Sequence, residues 1–196
     1  MPQPRHEPLA HLALAGRATG NAESAAVVLR ALPYHPSLIL RGESDDPAFL
    51  EGFLGATGFG LPIAPFGITN QNDYAACWLG PNEWLIIGVK TLEHLTAGLA
   101  GCRHALIRIG DGQQIIAISG ARAVDVLTKH CPLDLHDLKR SQPWCSRTVL
   151  AGIQIILRNL YDGSYHVHVG RSLADYTWRI LEDAALEFDV AVAVGS

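Results

Sequence analysis

The order of predicted elements occurs twice along this chain, and that repetition constrains the fold more than any other feature. Each half contains a strand, a glycine, a helix, a proline-containing loop, two hairpin strands and a second helix. In this alignment Ile39-Leu40-Arg41-Gly42 corresponds to Ala117-Ile118-Ser119-Gly120. Runs of strands with few helices between them favour an α+β fold with the helices on the sheet faces. We therefore expect two similar β-α-β-β-α units that arose by internal duplication.

Three segments of the chain differ in composition and pattern. Residues 1–36 contain five prolines, and we expect an extended N-terminal arm there, either disordered or laid over the surface of a partner. The first α+β unit is expected at 37–103 and the second at 104–196, with the two units forming one intimate globule. A chain of 196 residues is long enough to bury a core of that size.

The composition argues against several classes of partner. The net charge of −4 provides no basic field for nucleic acid or an anionic membrane. With 48% hydrophobic and 17% charged residues, the chain is slightly poor in charge, which is typical of a subunit and also of many monomers. The four cysteines form no C-x-x-C motif and no regular disulfide framework, which favours a reducing compartment. We expect a cytoplasmic protein.

No motif in the sequence supplies a set of catalytic groups. The glycines at strand–helix junctions match neither dinucleotide-binding nor phosphate-binding loops, and no G-x-S-x-G segment occurs. His166 and His168 alternate on one strand and project from the same face, a spacing that can hold a metal ion. His130, Cys131 and His136 form a second cluster of this kind. No carboxylate or thiol nearby in the sequence completes a ligand set for His166 and His168, and packed or surface histidines are the commoner explanation of both clusters. Since no catalytic set is found either, we predict no catalytic, cofactor-binding or metal-binding residue in this chain.

The last helix carries large side chains outside its core-facing stripe. Ser172 is predicted to be its N-cap, with Asp175 in the first turn near the positive end of the helix dipole. Leu173 is predicted to begin the stripe, and at about 100° per residue Tyr176 and Trp178 lie at its two edges. Such flanking aromatic residues either contact another protein or cover the chain's own core.

A tight turn is predicted at Gly80-Pro81-Asn82, directly before Glu83 and Trp84. Glu83 is expected to accept hydrogen bonds from the turn, and the pattern favours a structural hairpin over a contact site without excluding the latter. Aromatic residues and arginine contribute most of the binding energy at protein interfaces. On that basis Trp84, Arg171, Tyr176 and Trp178 are predicted partner-interface residues. Leu9, Leu12 and Leu14 are added to them because they are too apolar for a purely solvated tail.

Four segments resemble, in this order, the gamma subunit family of heterotetrameric sarcosine oxidase. They are LGPNEWL (79–85), CPLDL (131–135), CSRT (145–148) and RSLADYTW (171–178), and PLAHL (8–12) is similar to the leader of that family. The sequence departs from the family at 108–112, where RIGDG replaces the usual Asp-x-Ser element. The signature of YgfZ-like proteins is absent.

The resemblance implies a fold similar to that of the folate-binding aminomethyltransferases and YgfZ-like proteins. It also implies a non-catalytic subunit whose partners are the alpha, beta and delta subunits, chiefly alpha. Such a complex oxidatively demethylates sarcosine to glycine, forms hydrogen peroxide and methylenetetrahydrofolate, and holds FAD, FMN, NAD, zinc and tetrahydrofolate on its other subunits. Two alternatives stay open: a stand-alone folate-binding or aminomethyltransferase-like protein, and a subunit of an oxidase for another N-methyl amino acid.

Overall fold

The computed structural model describes residues 7–17, 22, 24–72, 74–88, 92–138 and 143–194. Within these ranges the strands, in chain order, are β1 (Val27–Leu32), β2 (Ser37–Gly42), β3 (Ile68–Gln71), β4 (Tyr74–Gly80), β5 (Glu83–Ile87), β6 (His104–Arg108), β7 (Gln113–Ser119), β8 (Trp144–Leu150), β9 (Ile153–Asn159), β10 (Tyr165–Gly170) and β11 (Val190–Val194). The α-helices are α1 (Pro47–Thr57), α2 (Glu93–Gly98), α3 (Ala123–Thr128), α4 (Leu135–Leu138) and α5 (Ala174–Ala185). None of the helices in the described ranges is long and apolar enough to cross a membrane.

The chain divides into two compact units that alternate along the sequence. The six-stranded unit comprises the described residues within 1–34, 112–142 and 147–196, and its sheet has the order β11-β1-β7-β10-β9-β8. The five-stranded unit comprises those within 35–111 and 143–146, with the sheet order β3-β4-β5-β2-β6. Strands and helices are thus mixed within each unit, and the predicted α+β class is confirmed.

The duplication is visible in the order of the elements. The sequence β2-α1-β3-β4-β5-α2-β6 recurs as β7-α3-α4-β8-β9-β10-α5-β11, with α4 as the one additional element. Each repeat therefore has one more hairpin strand and one more final strand than the expected β-α-β-β-α pattern. Corresponding strands also follow the same order in the two sheets, which is β3-β4-β5-β2 in the five-stranded sheet and β8-β9-β10-β7 in the six-stranded sheet.

Strand β1 is the main difference between the two sheets. It pairs antiparallel with β7 and parallel with β11, so it separates those strands, whereas β2 and β6 pair directly. The strand lies within 1–36, which the sequence pattern predicts to be an extended arm, and its Val27 and Leu29 are fully buried. The pairing of β6 with β2 also places 104–108 in the five-stranded unit, on the other side of the predicted boundary at 103/104.

The core of the five-stranded unit forms around α1 as the sequence predicts. The Asp46 carboxylate accepts the backbone N–H of Ala48 at 2.9 Å, Pro47 occupies the first turn, and Gly58 ends the helix with φ of +82°. Phe49 and Phe53 are fully buried in the hydrophobic cluster of this unit. A capped, amphipathic helix is therefore fixed on its sheet by two large aromatic side chains.

Helix α5 of the six-stranded unit differs from the prediction at its first turn. Residues Arg171–Leu173 form a 3-10 turn, and Leu173 occupies the N-cap position without a side-chain hydrogen bond, so the predicted capping role of Ser172 is wrong. Leu173 is 42% exposed, whereas Trp178 is fully buried. The helix is rotated so that the larger apolar surface of tryptophan enters the core. The buried residues of α5 are Ala174, Thr177, Trp178, Leu181, Ala184 and Ala185.

Candidate partner interface

The described part of the N-terminal segment, residues 7–17, packs on the chain's own six-stranded unit. It forms two short 3-10 turns, Ala10–Leu12 and Leu14–Arg17. His11 Nε2 lies 2.7 Å from Asp175 Oδ1, and Arg17 forms an ion pair with Glu182. Leu9 is 3% exposed. This part of the segment is therefore neither disordered nor separate from the chain, and it is held on one side of α5.

Asp175 is the junction between the segment and the helix. Its second carboxylate oxygen accepts a hydrogen bond from Arg179 Nε at 2.9 Å, one helical turn further on. The hydrogen bonds from Arg179 and then from His11 hold the pKa of Asp175 below its ordinary value of 3.8. The carboxylate is consequently charged at neutral pH and can accept both contacts at once.

Beside this junction lies an exposed group that we call the α5 surface, formed by Arg171, Leu173 and Tyr176. Arg171 is exposed, and 42% of Leu173 and 48% of Tyr176 are accessible. The Tyr176 hydroxyl donates a long hydrogen bond of 3.5 Å to the carbonyl of Ala151, in the turn between β8 and β9. The N–H of Ala151 in turn donates to the carbonyl of His130 at 3.0 Å. The tyrosine is thus positioned against a turn that is itself held by His130, two residues after the end of α3.

The predicted interface residues do not all lie on the surface. Trp84 and Trp178 are fully buried, in the cores of the five-stranded and the six-stranded unit respectively. The Trp84 indole N–H donates to the Pro62 carbonyl at 2.7 Å, and its ring lies 5.7 Å from that of Phe49. A partner that approaches the surface does not meet these two side chains. The spacing of Ala174, Trp178, Leu181 and Ala185 is the sequence signal that would have placed Trp178 inside.

Leu12 and Leu14 are both half-buried in the N-terminal segment, with part of each side chain accessible. Together with Arg171 and Tyr176, they are the predicted interface residues that offer accessible side chains. Because all four belong to the six-stranded unit, that unit carries the exposed part of the predicted interface.

The Gly80-Pro81-Asn82 turn has a structural role, and the residue responsible is Asn82. Its backbone is left-handed, with φ of +62°. The side-chain oxygen of Asn82 accepts a hydrogen bond from the Ser44 N–H at 2.8 Å, and its side-chain nitrogen donates one to the Glu43 carboxylate at 3.1 Å. The backbone carbonyl of Asn82 accepts another from the Gly42 N–H at 3.2 Å. Asn82 therefore joins the β4–β5 turn to the loop before α1.

Sequence reasoning gave Glu83 the hydrogen-bonding role in this turn and missed Asn82. Glu83 forms an ion pair with Arg41, directly opposite on β2, at 3.4 Å. The signal that could have identified Asn82 is the tolerance of asparagine for the left-handed region together with its two-sided amide. The hairpin joins strand and loop within the five-stranded unit, as expected of a structural element.

Two further motifs of the sequence come together near β8. Cys131 Sγ lies 3.9 Å from Thr148 Oγ1, so the CPLDL and CSRT segments are in contact. Asp134 accepts the N–H of Asp137 at 3.1 Å at the start of α4. Among the residues that the structure describes, no group of three or more histidine, cysteine or acidic side chains is arranged to hold a metal ion. These motifs accordingly have a local structural explanation.

The fold is similar to that of part of an aminomethyltransferase. It matches glycine cleavage system aminomethyltransferase T from Bartonella henselae with a TM-score of 0.65 over 96% of this chain and 58% of that one. The sequence identity is 12%, so this likeness concerns the fold alone. It confirms the predicted fold relationship.

Comparisons at higher identity define the family. A chain of heterotetrameric sarcosine oxidase from Corynebacterium sp. U-96, in complex with pyrrole 2-carboxylate, matches with a TM-score of 0.84 and 30% identity, over 95% of this chain and 97% of that one. Sarcosine oxidase subunit gamma of Corynebacterium sp. (strain U-96) is 30% identical over 193 residues, 96% of this chain and 94% of the relative. The Arthrobacter sp. protein of the same name is 30% identical over 188 residues, which are 94% of this chain and 91% of that relative.

The family model of the sarcosine oxidase gamma subunit matches residues 41–187. The chain belongs to the sarcosine oxidase, gamma subunit family, and the resemblance found in the sequence motifs is confirmed.

Proposed function

We propose that this chain is the gamma subunit of a heterotetrameric sarcosine oxidase and that it acts in assembly and not in catalysis. The observation that carries the proposal is the match to a chain of a heterotetrameric sarcosine oxidase, which spans 95% of this chain and 97% of that one. The match extends over nearly the full length of both chains at 30% identity, which supports the same role for this chain.

In this proposal the partners are the alpha, beta and delta subunits, chiefly alpha. The complex oxidises sarcosine to glycine, reduces oxygen to hydrogen peroxide, and transfers the one-carbon unit to tetrahydrofolate as methylenetetrahydrofolate. The other subunits hold FAD, FMN, NAD, zinc and tetrahydrofolate, and this chain contributes a surface on which they assemble.

The proposed contact surface combines the α5 surface with Leu12 and Leu14 of the N-terminal segment. The segment is attached to α5 through His11 and Asp175, so the two form one continuous region. Tyr176 and Arg171 are of the residue types that carry interface energy, and Tyr176 is already positioned by its contact with Ala151. A side chain that is held in place before binding loses less entropy when the partner arrives.

An omission experiment tests the assignment. The alpha, beta and delta homologues encoded in the same genome are co-expressed with and without this chain, and the purified assemblies are compared in native mass and in sarcosine-dependent peroxide formation. We expect the heterotetramer and its activity only when this chain is present.

Full activity and an unchanged assembly of the other three subunits without this chain would contradict the proposal. Tight binding of tetrahydrofolate by this chain alone, without association with the other subunits, would favour the stand-alone folate-binding alternative. Oxidation of another N-methyl amino acid in preference to sarcosine would keep the subunit role and change the substrate.

A further inference from the structure

The loop between α1 and β3 exposes a run of apolar side chains that the contact surface proposed above does not include. Ile63, Ala64, Pro65 and Phe66 are consecutive and all exposed, with 66% of Ile63 and 38% of Phe66 accessible. We call these four residues the apolar loop. Single exposed apolar residues are common on protein surfaces, but four in succession form a contiguous patch, which is typical of an interaction site.

Both ends of the apolar loop are fixed to the sheet of the five-stranded unit. Before it, the Pro62 carbonyl accepts the indole N–H of Trp84, on β5, at 2.7 Å. After it, the Gly67 carbonyl accepts the backbone N–H of Trp78, on β4, at 2.9 Å. A loop that is held in this way before binding loses little conformational freedom when a partner arrives.

The apolar loop contains a turn with a strained residue. The Gly67 N–H donates to the Ala64 carbonyl at 3.0 Å, and Phe66 has a left-handed backbone with φ of +66°. Proline at the second position and a positive φ at the third are features of a type II turn, whose third residue is normally glycine or asparagine. A bulky residue is an outlier there, and such strain is concentrated at functional sites.

The strained Phe66 is held in place by the residues at the start of β8. Its carbonyl accepts the Cys145 N–H at 3.1 Å. Its ring meets that of the buried Trp144 edge to face, with 6.5 Å between the ring centroids. The aromatic ring is therefore oriented by the chain itself while part of it stays accessible.

The apolar loop presents few polar groups to a partner. Residues 52–72 contain no aspartate, glutamate, lysine, arginine or histidine. Pro65 has no backbone N–H, and the carbonyls of Ala64 and Phe66 already accept hydrogen bonds within the chain. Burial of the loop thus leaves few backbone groups unsatisfied. Aromatic side chains without charged neighbours are typical of the buried centre of a protein interface.

We propose that the apolar loop inserts into an uncharged, apolar pocket on another subunit of the oxidase. This inference rests on the proposed function, which is supported by the match to a chain of a heterotetramer. A loop that enters an anionic membrane is typically accompanied by basic residues, and 52–72 contains none. The loop gives the five-stranded unit a contact of its own, in addition to the surface proposed on the six-stranded unit.

Binding of the full chain to the purified partner subunits tests the proposal. Ile63→Asn and Ile63→Asp introduce side chains of the same shape, of which only the second is charged. We expect Ile63→Asn to weaken the affinity about tenfold, as for a residue central to an interface. Ile63→Asp should weaken it at least about tenfold further, because its carboxylate is buried in the pocket without a partner.

The matched controls are Leu186→Asn and Leu186→Asp, which change a 68% exposed leucine of the six-stranded unit. Both should keep the wild-type affinity. All four variants should also keep the unfolding midpoint of the wild-type chain, because the replaced side chains are exposed. The midpoint separates a loss of affinity from a loss of folding.

Hydrogen exchange resolved by peptide gives a second measurement that needs no substitution. We expect peptides that cover 60–68 to exchange severalfold more slowly in the co-purified oxidase than in the free chain. Wild-type affinity in both Ile63 variants, or equal exchange of 60–68 in the free and the assembled chain, would overturn the proposal. In that case the wild-type chain still associates with its partners, whereas a wild-type chain that associates with none overturns the subunit assignment as well.

Two other occupants of the loop are outcomes of the same experiments. Self-association of the wild-type chain that is lost in Ile63→Asp would assign the loop to a second copy of this chain. Binding to vesicles of phosphatidylcholine and phosphatidylglycerol that is lost in Ile63→Asp would assign it to a membrane. Either result, with an unchanged affinity for the partner subunits, would overturn the proposal.

Discussion

His11 Nε2 lies 2.7 Å from the Asp175 carboxylate, and this contact fastens the N-terminal segment to the first turn of α5. The two residues are 164 positions apart in the sequence. The contact joins the leader motif PLAHL to the motif RSLADYTW, the two segments at opposite ends of the family resemblance. The exposed side chains near this junction are the ones for which we propose a partner.

Loss of the Asp175 carboxylate should loosen the N-terminal segment. In Asp175→Asn the amide no longer holds the charged contacts with His11 and Arg179, and we expect amide hydrogens of 10–17 to exchange a few-fold faster. The measurement is hydrogen exchange resolved by peptide. Asp183→Asn, an exposed carboxylate change on the same helix, is the control and should leave exchange unchanged. Equal exchange in the wild type and Asp175→Asn would show that the Asp175 contacts do not hold the segment, which would leave that role to the packing of Leu9 and the ion pair between Arg17 and Glu182.

The Asp175 carboxylate should also make the stability of the folded chain depend on pH. The folded pKa of Asp175 lies below 3.8 because of the hydrogen bonds from Arg179 and His11. A carboxyl group whose pKa is lower in the folded than in the unfolded protein stabilises the native state at pH values above its unfolded pKa. This stabilisation is lost as the pH falls through the pKa of the folded state. Urea unfolding should therefore show a difference between wild type and Asp175→Asn at about pH 5 that shrinks at about pH 3. A difference that grows on acidification would refute this.

The two buried tryptophans should respond differently to replacement by phenylalanine. Trp84→Phe leaves the Pro62 carbonyl without its donor, whereas Trp178→Phe removes an indole N–H that has no hydrogen-bond partner among the described residues. Both variants lose similar apolar volume, so each acts as the control for the other. We expect Trp84→Phe to lower the free energy of unfolding by about 1–2 kcal/mol more than Trp178→Phe. Denaturant unfolding of both variants measures this, and an equal or reversed order would argue against the hydrogen-bond assignment.

Asn82 should be hard to replace because it combines a left-handed backbone with two side-chain hydrogen bonds. Asn82→Ala loses the contacts with Ser44 and Glu43 and also places a Cβ-bearing residue without local hydrogen bonds at φ of +62°. We expect a loss of about 2–3 kcal/mol in the free energy of unfolding. Asn82→Gly removes the backbone penalty and should recover about 1 kcal/mol of that loss. If Asn82→Ala and Asn82→Gly have the same free energy of unfolding, the left-handed backbone at this position does not contribute to the loss of stability.

Tyr176 should matter for association and little for folding, since its side chain is 48% exposed. In Tyr176→Ala we expect the affinity for the partner subunits to fall about tenfold or more, as for a residue central to an interface. Tyr161→Ala, a 73% exposed tyrosine in the β9–β10 turn, is the matched control and should keep the wild-type affinity. The affinities are measured by surface-immobilised binding of the purified partners. An unchanged affinity for Tyr176→Ala would remove the α5 surface from the proposed interface.

The local structure of this chain follows from its sequence to a large extent. The Asp46 cap with Pro47 at the start of α1, the Gly80-Pro81-Asn82 turn and the repeated order of strands and helices all depend on short-range backbone chemistry. The cap and the turn are contained within a few residues, and the structure has them where the pattern predicts them. Each repeat, however, has one more hairpin strand and one more final strand than the pattern predicts. The fold relationship is implied by the resemblance of the sequence motifs to the family, and the repeated order of elements fits it.

The features that depend on distant partners are the ones the sequence pattern misses. Nothing local indicates that Val27–Leu32 inserts as β1 between β7 and β11, because strand pairing is settled by tertiary packing. The orientation of α5, which buries Trp178 and exposes Leu173, is likewise set by tertiary packing. The roles of His11 and Asn82 likewise depend on contacts 164 and 38 residues away.

The central claim, that this chain is a subunit of a sarcosine oxidase, is tested most directly by purification through a tag on this chain. The tagged chain is co-expressed with the alpha, beta and delta homologues of its genome, and the eluate is analysed for subunit ratio, flavin absorbance and sarcosine-dependent peroxide formation. We predict equimolar recovery of all four chains with bound flavin and activity toward sarcosine. Recovery of the tagged chain alone, while the other three chains form an active flavoprotein without it, would contradict the account.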